Sequence, residues 1–99
     1  MNSRQRSFLR GMANSLQPLV TIGKQGLSES VIKEISEVLE NKELVKITIL
    51  KNSLLDPKDV INEAAAALNA EPVAAIGGKI ILYRKSKKKG IEHIIIPLS

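Results

Sequence analysis

The chain contains no cysteine. Disulfides and thiolate metal sites are therefore excluded, and the redox compartment is left open. Aromatic residues are almost missing too: Phe8 and Tyr83 are the whole supply. A platform of several stacked rings, as readers of single-stranded nucleic acid use, has no residues to build it. His93 is the single histidine. It sits in an apolar tail beside Glu92, where a surface or edge-strand role fits better than a general base. No apolar run approaches the roughly 18–20 residues that a membrane-spanning helix requires. The opening Met1-Asn2-Ser3-Arg4-Gln5-Arg6 leads into an amphipathic pattern and not an apolar secretory core. Neither a Walker-type G-x-x-x-x-G-K-[ST] nor a dinucleotide-binding G-x-G-x-x-G is present. Nothing marks a nucleophile elbow, and Asp56 and Asp59 are explained by capping a helix. The expectation is a non-enzymatic, cytoplasmic globular domain without cofactor, metal or membrane span.

What is present is segregated charge. The 99 residues carry a net charge of +5, unevenly distributed. Residues 1–26 hold Arg4, Arg6, Arg10 and Lys24 with no acid. Residues 27–78 hold five lysines against nine acids. Residues 79–99 hold Lys79, Arg84, Lys85, Lys87, Lys88 and Lys89 against Glu92 alone. Both ends are basic and the middle is acidic. If the ends meet in space they form a concentrated positive face, the footprint of a polyanionic partner. If they do not, the charges merely solubilise two termini.

A chain of this length makes one domain and buries roughly 60–70% of its unfolded surface. Ser3 to Ser15 reads as a first helix with Phe8, Leu9, Met12 and Leu16 on one face, Arg6 and Arg10 projecting from the other side. Gly11 costs that helix about 1 kcal/mol relative to alanine, so either it packs closely or the helix is shorter. After Pro18, Leu19 to Ile22 reads as a short buried strand. Ser28 caps a second helix, with Leu27 stapled to Ile32 and a buried stripe of Val31, Ile32, Ile35, Val38 and Leu39; Asn41 is its expected end. Leu44 to Leu50 reads as a strand. Asp56-Pro57 opens a third helix burying Val60, Ile61, Ala64, Ala65 and Leu68. Val73 to Ile76 and Lys79 to Arg84 read as strands joined at Gly77-Gly78. His93 to Pro97 is a candidate edge strand. The fold class is α/β: a compact two-layer α-β-α-β-α-β-β domain with a small mixed four-stranded sheet.

The candidate site is Gly23-Lys24-Gln25-Gly26, between the first strand and the second helix. Its glycines let a rigid polyanion approach bare backbone, and Lys24 supplies charge. Ser28 and Glu29 already satisfy the start of the second helix, so an anion belongs on the loop itself. Arg6, Arg10 and the strand end Arg84-Lys85 are expected to assist. Contacts of this kind address phosphate and sugar, fixing position while reading little sequence, which suits a structured RNA. Tyr83 either stacks on one base or packs as a sheet residue against a helix.

The runs Arg4 to Gly11, Ile22 to Glu29 and Gly78 to Arg84, with Pro18 between the first two, closely resemble the bacterial single-domain CRM proteins. CRM stands for chloroplast RNA splicing and ribosome maturation. The resemblance covers nearly the whole chain in order. It implies a fold similar to the C-terminal domain of a bacterial translation initiation factor. It also implies RNA contact at Gly23, Lys24, Gln25 and Gly26, and a role on pre-ribosomal particles in assembly of the large subunit. Ribosomal RNA or its precursor would then be the partner, met by a monomer. The lysine-rich segment and isoleucine tail at 85–99 depart from the family and form a C-terminal extension of open role. The competing reading is a protein-interaction module whose basic face docks an acidic partner on ribosomal particles. A peripheral membrane contact through Arg84 to Lys89 is the third.

Overall fold

A computed structural model describes residues 1–98; Ser99, the last residue of the expected extension, lies outside them. Three helices and four strands follow one another as α1 (Ser3–Ala13), β1 (Val20–Ile22), α2 (Glu29–Lys42), β2 (Leu44–Ile49), α3 (Pro57–Leu68), β3 (Glu71–Ile76) and β4 (Lys79–Tyr83), with a 3-10 turn at Lys51–Ser53. Each start has a local cause. Asn2 and Gln5 form a reciprocal capping box on α1, with the Gln5 amide donating to Asn2 Oδ1 at 2.8 Å and the Asn2 amide to Gln5 Oε1 at 3.1 Å. Ser28 Oγ accepts from the Val31 amide. Asp56 caps α3 ahead of Pro57. α2 runs past Asn41, its expected end, and stops where Glu43 turns left-handed at φ 65°.

The sheet is mixed, in the order β1-β2-β4-β3. β1 pairs parallel with β2, and β4 pairs antiparallel with both β2 and β3. The strand–helix–strand link thus gives parallel pairing and the Gly77-Gly78 hairpin antiparallel pairing, as the sequence implies. Pro72 sits on the edge strand β3 at an irregularity in register, the place where a missing amide costs least.

Strand alternation divides the core in two. Val20, Ile22, Val45, Ile47, Ile49, Ile80 and Leu82 face α2 and α3, packing on Ile35, Leu39, Val60, Ile61, Ala64, Ala65 and Leu68. Leu44, Val73, Ile81 and Tyr83 face the other way, against Leu9 and Ala13 of α1. The expected two layers are α2 and α3 on the sheet, and α1 adds cover on the opposite face. There the buried residues are Leu9 and Ala13, while Phe8, Met12 and Leu16 stay more than a third exposed. Phe8 is a flank residue, not core. Gly11 has open space around it, so no close packing explains it; the helix ends two residues earlier than its pattern suggests. Residues 84–98 add no strand. Residues 84–88 lie against the end of α2, and the rest runs alongside α1, with Ile94 and Ile96 against the second cluster and Gln5 Nε2 donating to the Pro97 carbonyl at 2.9 Å.

Candidate functional site

Three loops converge at the end of the sheet where β1 and β2 finish. The Leu50 amide donates to Ile22 O at 2.9 Å and the Ile49 amide to Gly78 O at 2.7 Å, tying the loop after β2 to the other two. Within Gly23–Gly26 the Gly26 amide donates to Gly23 O at 3.0 Å, closing a tight turn. Lys24 and Gln25 stand exposed at its tip. Gly26 adopts φ 65°, a conformation that costs a residue with a Cβ about 1–2 kcal/mol. Leu50 and Leu55 pack beneath the two glycines, so the turn rests on an apolar floor with its polar rim outward. Lys51, exposed on the 3-10 turn, and Lys79, half-buried at the start of β4, lie at the same end.

One side of this end opens onto uncovered sheet. Thr21, Thr48 and Lys79 alternate with core residues and so point toward the face that carries α1. The C-terminal tail occupies the flank of α1 bearing Gln5, Phe8 and Met12. Arg6 and Arg10 project from the other flank, toward the uncovered strands. Arg10 is exposed, whereas Arg6 donates from Nη1 to Met1 O at 2.7 Å. Arg6 itself is drawn toward Met1, whose amino group lies 4.0 Å from Glu71 Oε2, and Glu71 pairs with Tyr83 at the other end of the sheet; Lys51 and Lys79 are the cations that share the end of the turn.

Arg84, Lys85 and Tyr83 do not join it. Tyr83 pairs with Leu44, at the opposite end of β2 from Ile49, and five strand steps separate those ends by about 17 Å. The reason is direction: β4 runs antiparallel to β2, so Lys79 and Arg84 belong to opposite ends of the sheet. The expectation that the C-terminal basic strand end gathers beside the glycine turn is therefore not met. Arg84 is also spoken for. Its Nη1 donates to Leu68 O at 2.9 Å, and its Nη2 to Ser36 O, Ser36 Oγ and Glu40 Oε1 at 3.2, 3.0 and 3.2 Å. The guanidinium clasps α2 to the end of α3. Tyr83 is buried among the residues under α1, the packing alternative of the two; burial pushes its hydroxyl pKa up, and the nearby Glu43 charge adds to the rise.

The sequence gives no sign of a buried carboxylate at Glu43, whose side chain is fully enclosed. Its oxygens accept from the Ser86 amide at 2.6 Å, the Ile94 amide at 2.7 Å and His93 Nδ1 at 2.7 Å. Burial by itself raises the Glu43 pKa; the His93 ring and the two amides outweigh it and hold the group below its ordinary value. Glu40 beside it accepts from Ser86 Oγ and the Lys87 amide. These two acids anchor the extension. A left-handed non-glycine residue after a helix was the one local signal, and it is visible only in coordinates.

Between the extension and the end of α1 lies an open groove of about 670 Å³ with Met12, Leu16, Leu19 and Ile91 in its wall. Among the described residues, no group of three or more His, Cys, Asp or Glu side chains is placed to hold a metal, and no helix is long and apolar enough to cross a membrane.

The geometry has counterparts. The chain is 36% identical over 88 residues to a Bacillus subtilis protein named "Probable RNA-binding protein YqeI", covering 89% of this chain and 92% of that one. It is 33% identical over 92 residues to a Haemophilus influenzae protein named "RNA-binding protein", covering 93% of each. The solution structure of SAV1595 from Staphylococcus aureus superposes with a TM-score of 0.78 at 37% identity, covering 95% of this chain and 99% of the other. The model of the CRS1 / YhbY (CRM) domain matches residues 1–84, ending at the Arg84 clasp and leaving the stapled extension outside. With the resemblance of the sequence motifs thus borne out, the chain belongs to the CRS1 / YhbY (CRM) domain family.

Proposed function

We propose that the protein is a non-catalytic binder of structured RNA that grips the sugar–phosphate backbone at the Gly23–Gly26 end of its sheet. The observation that carries this reading is an exposed Lys24-Gln25 tip on a bare glycine turn, with Lys51 and Lys79 at the same end of the sheet. Backbone amides and cations of this kind bind phosphate. With one buried tyrosine and one half-exposed phenylalanine, base stacking contributes little. The names of the relatives agree with RNA as the partner. We further assign the RNA to the ribosome: ribosomal RNA or its precursor, bound in the cytoplasm during assembly of the large subunit. A monomer suits this work. One edge strand is three residues long and the other carries Pro72 and a register irregularity, features that discourage pairing between copies.

Replacing Lys24 with glutamate tests the site. The variant is expected to melt like the parent and to bind a structured RNA hairpin at least about tenfold more weakly, with a salt slope reduced by about one unit. Equal binding would refute the assignment of the turn. The ribosomal part is tested by sedimentation of cell extract with and without ribonuclease. Co-migration with large-subunit precursors that is lost on digestion supports it. Co-migration that survives digestion supports the second reading, a protein-interaction module whose basic face docks an acidic partner on the particle.

A further inference from the structure

The extension carries a second loop with the attributes of the first. Ser86 is buried, its amide on one Glu43 oxygen and its hydroxyl on the Glu40 carbonyl at 2.6 Å. Ile94 returns to the other Glu43 oxygen. One enclosed carboxylate thus closes both feet of the segment between them. The Lys88 amide donates to Ser86 Oγ at 3.0 Å, and Gly90 takes φ 85° to turn the chain. Lys85, Lys87, Lys88 and Lys89 are exposed on this frame. Among the described residues none of the four forms an ion pair, and Lys88 Nζ rests on the neutral Asn41 Oδ1. Of the neighbouring acids, Glu40 is engaged by Arg84, Ser86 and the Lys87 amide and Glu43 by the two feet and His93, which leaves Glu92 and Glu37 against the four lysines. Four cations on a stapled backbone present themselves to an anion without the ordering cost that a free tail carries.

This loop stands apart from the glycine turn. α2 lies between them, and its 14 residues span about 21 Å. Its exposed face bears Glu34 and Glu37 with Lys33 between the turns, a face of net negative charge that disfavours a phosphate chain laid along it. On the other side the route crosses Phe8, Met12 and Ile95, all apolar and exposed. A single strand following α2 finds cations clustered at both ends and, between them, Lys33 set among the acids Glu34 and Glu37.

We infer that the Glu43-stapled lysine loop is a second, independent phosphate contact, so that one molecule joins two separate RNA segments. This rests on the RNA-binding reading above. Joining adds a function to binding: the protein holds two elements of a folding RNA within reach of each other.

The test uses two copies of one RNA hairpin, one biotinylated and one fluorescent, with the full chain in substoichiometric amount. The parent protein is expected to carry the fluorescent hairpin onto streptavidin beads. Replacing Lys85, Lys87, Lys88 and Lys89 with alanine, all exposed positions, should reduce this co-capture at least about tenfold and leave single-hairpin affinity within about threefold. Lys24→Glu should abolish co-capture from the other end. Co-capture undiminished in the four-alanine variant overturns the inference, as does a parent that binds one hairpin and never two. Sedimentation of the protein without RNA must show a monomer, because co-capture by a dimer also overturns it. So does a loop that binds phosphatidylserine vesicles in place of the second hairpin. A parent that binds no hairpin at all is a different result, and it defeats the RNA reading itself.

Discussion

Arg84 and Lys24 carry the same charge and have opposite occupations. Lys24 stands exposed at a turn tip, while Arg84 spends its donors on two helix carbonyls, a serine hydroxyl and a carboxylate. Substitution separates the two roles. Arg84→Ala leaves Leu68 O at the end of α3 without its donor, removes the second donor from Ser36 O and frees Glu40 from its cation. Hydrogen bonds to a charged group are worth about 1.5–3 kcal/mol, so a loss of about 2 kcal/mol is expected. In a domain of this size that lowers Tm by about 8–16 °C. RNA affinity measured well below the melt should change less than about threefold. A variant with unchanged Tm and lost RNA binding would reverse the assignment, making Arg84 an RNA contact. Lysine at this position does not rescue, because one ammonium cannot reproduce the guanidinium fork.

At the scale of elements, the C-terminal extension is held by titratable groups, and its docking depends on pH. The folded Glu43 pKa is lowered from its ordinary 4.5 despite the opposing effect of burial. Glu40 shifts the same way, chiefly through the Ser86 hydroxyl. A depressed carboxyl contributes stability that is fully present above the unfolded value and lost as pH falls through the folded one. Docking is therefore expected to be complete above about pH 4.5 and to weaken below it. Amide chemical shifts of Ser86 and Ile94 report this directly. Glu43→Gln should detach those two amides at neutral pH and leave the sheet resonances in place. An extension still docked once Glu43 itself is protonated would contradict the account. None of this was legible in the sequence, since Glu43 meets Ser86, His93 and Ile94 from 43 to 51 positions away. The elements themselves were legible because each carries its own punctuation: Ser28, Asp56-Pro57, Gly77-Gly78. Boundaries and faces were less so. Phe8 and Met12 share the helical stripe of Leu9, yet the sheet takes only Leu9 and Ala13. The glycine turn was legible for the same local reason as the helices, but its companions were not. Which lysines share its end depends on β4 lying antiparallel beside β2, a relation that no window of sequence contains.

For the whole molecule, the sheet with α2 and α3 forms one core and the face under α1 a second, and the extension contributes to the second alone. Removing residues 85–99 tests that division. The larger cluster loses no member, and the Arg84 clasp remains, so the chain should keep its sheet and helices by circular dichroism. The smaller cluster loses Ile94 and Ile96 from its rim, and Glu43 loses every side-chain partner while regaining water. Losses of this kind cost about 2–4 kcal/mol, a large share of the roughly 5–15 kcal/mol that holds a domain together. A Tm lower by about 8–32 °C is therefore expected by calorimetry. Single-hairpin affinity should persist, because the glycine turn, Lys51 and Lys79 lie at the far end of the sheet. Co-capture of a second hairpin should vanish with the lysine loop. An unchanged melt would mean that the extension does not dock. A collapse of single-hairpin binding at temperatures where the truncated chain is folded would mean that the grip on RNA belongs to the basic tail, and that the glycine turn is only a turn.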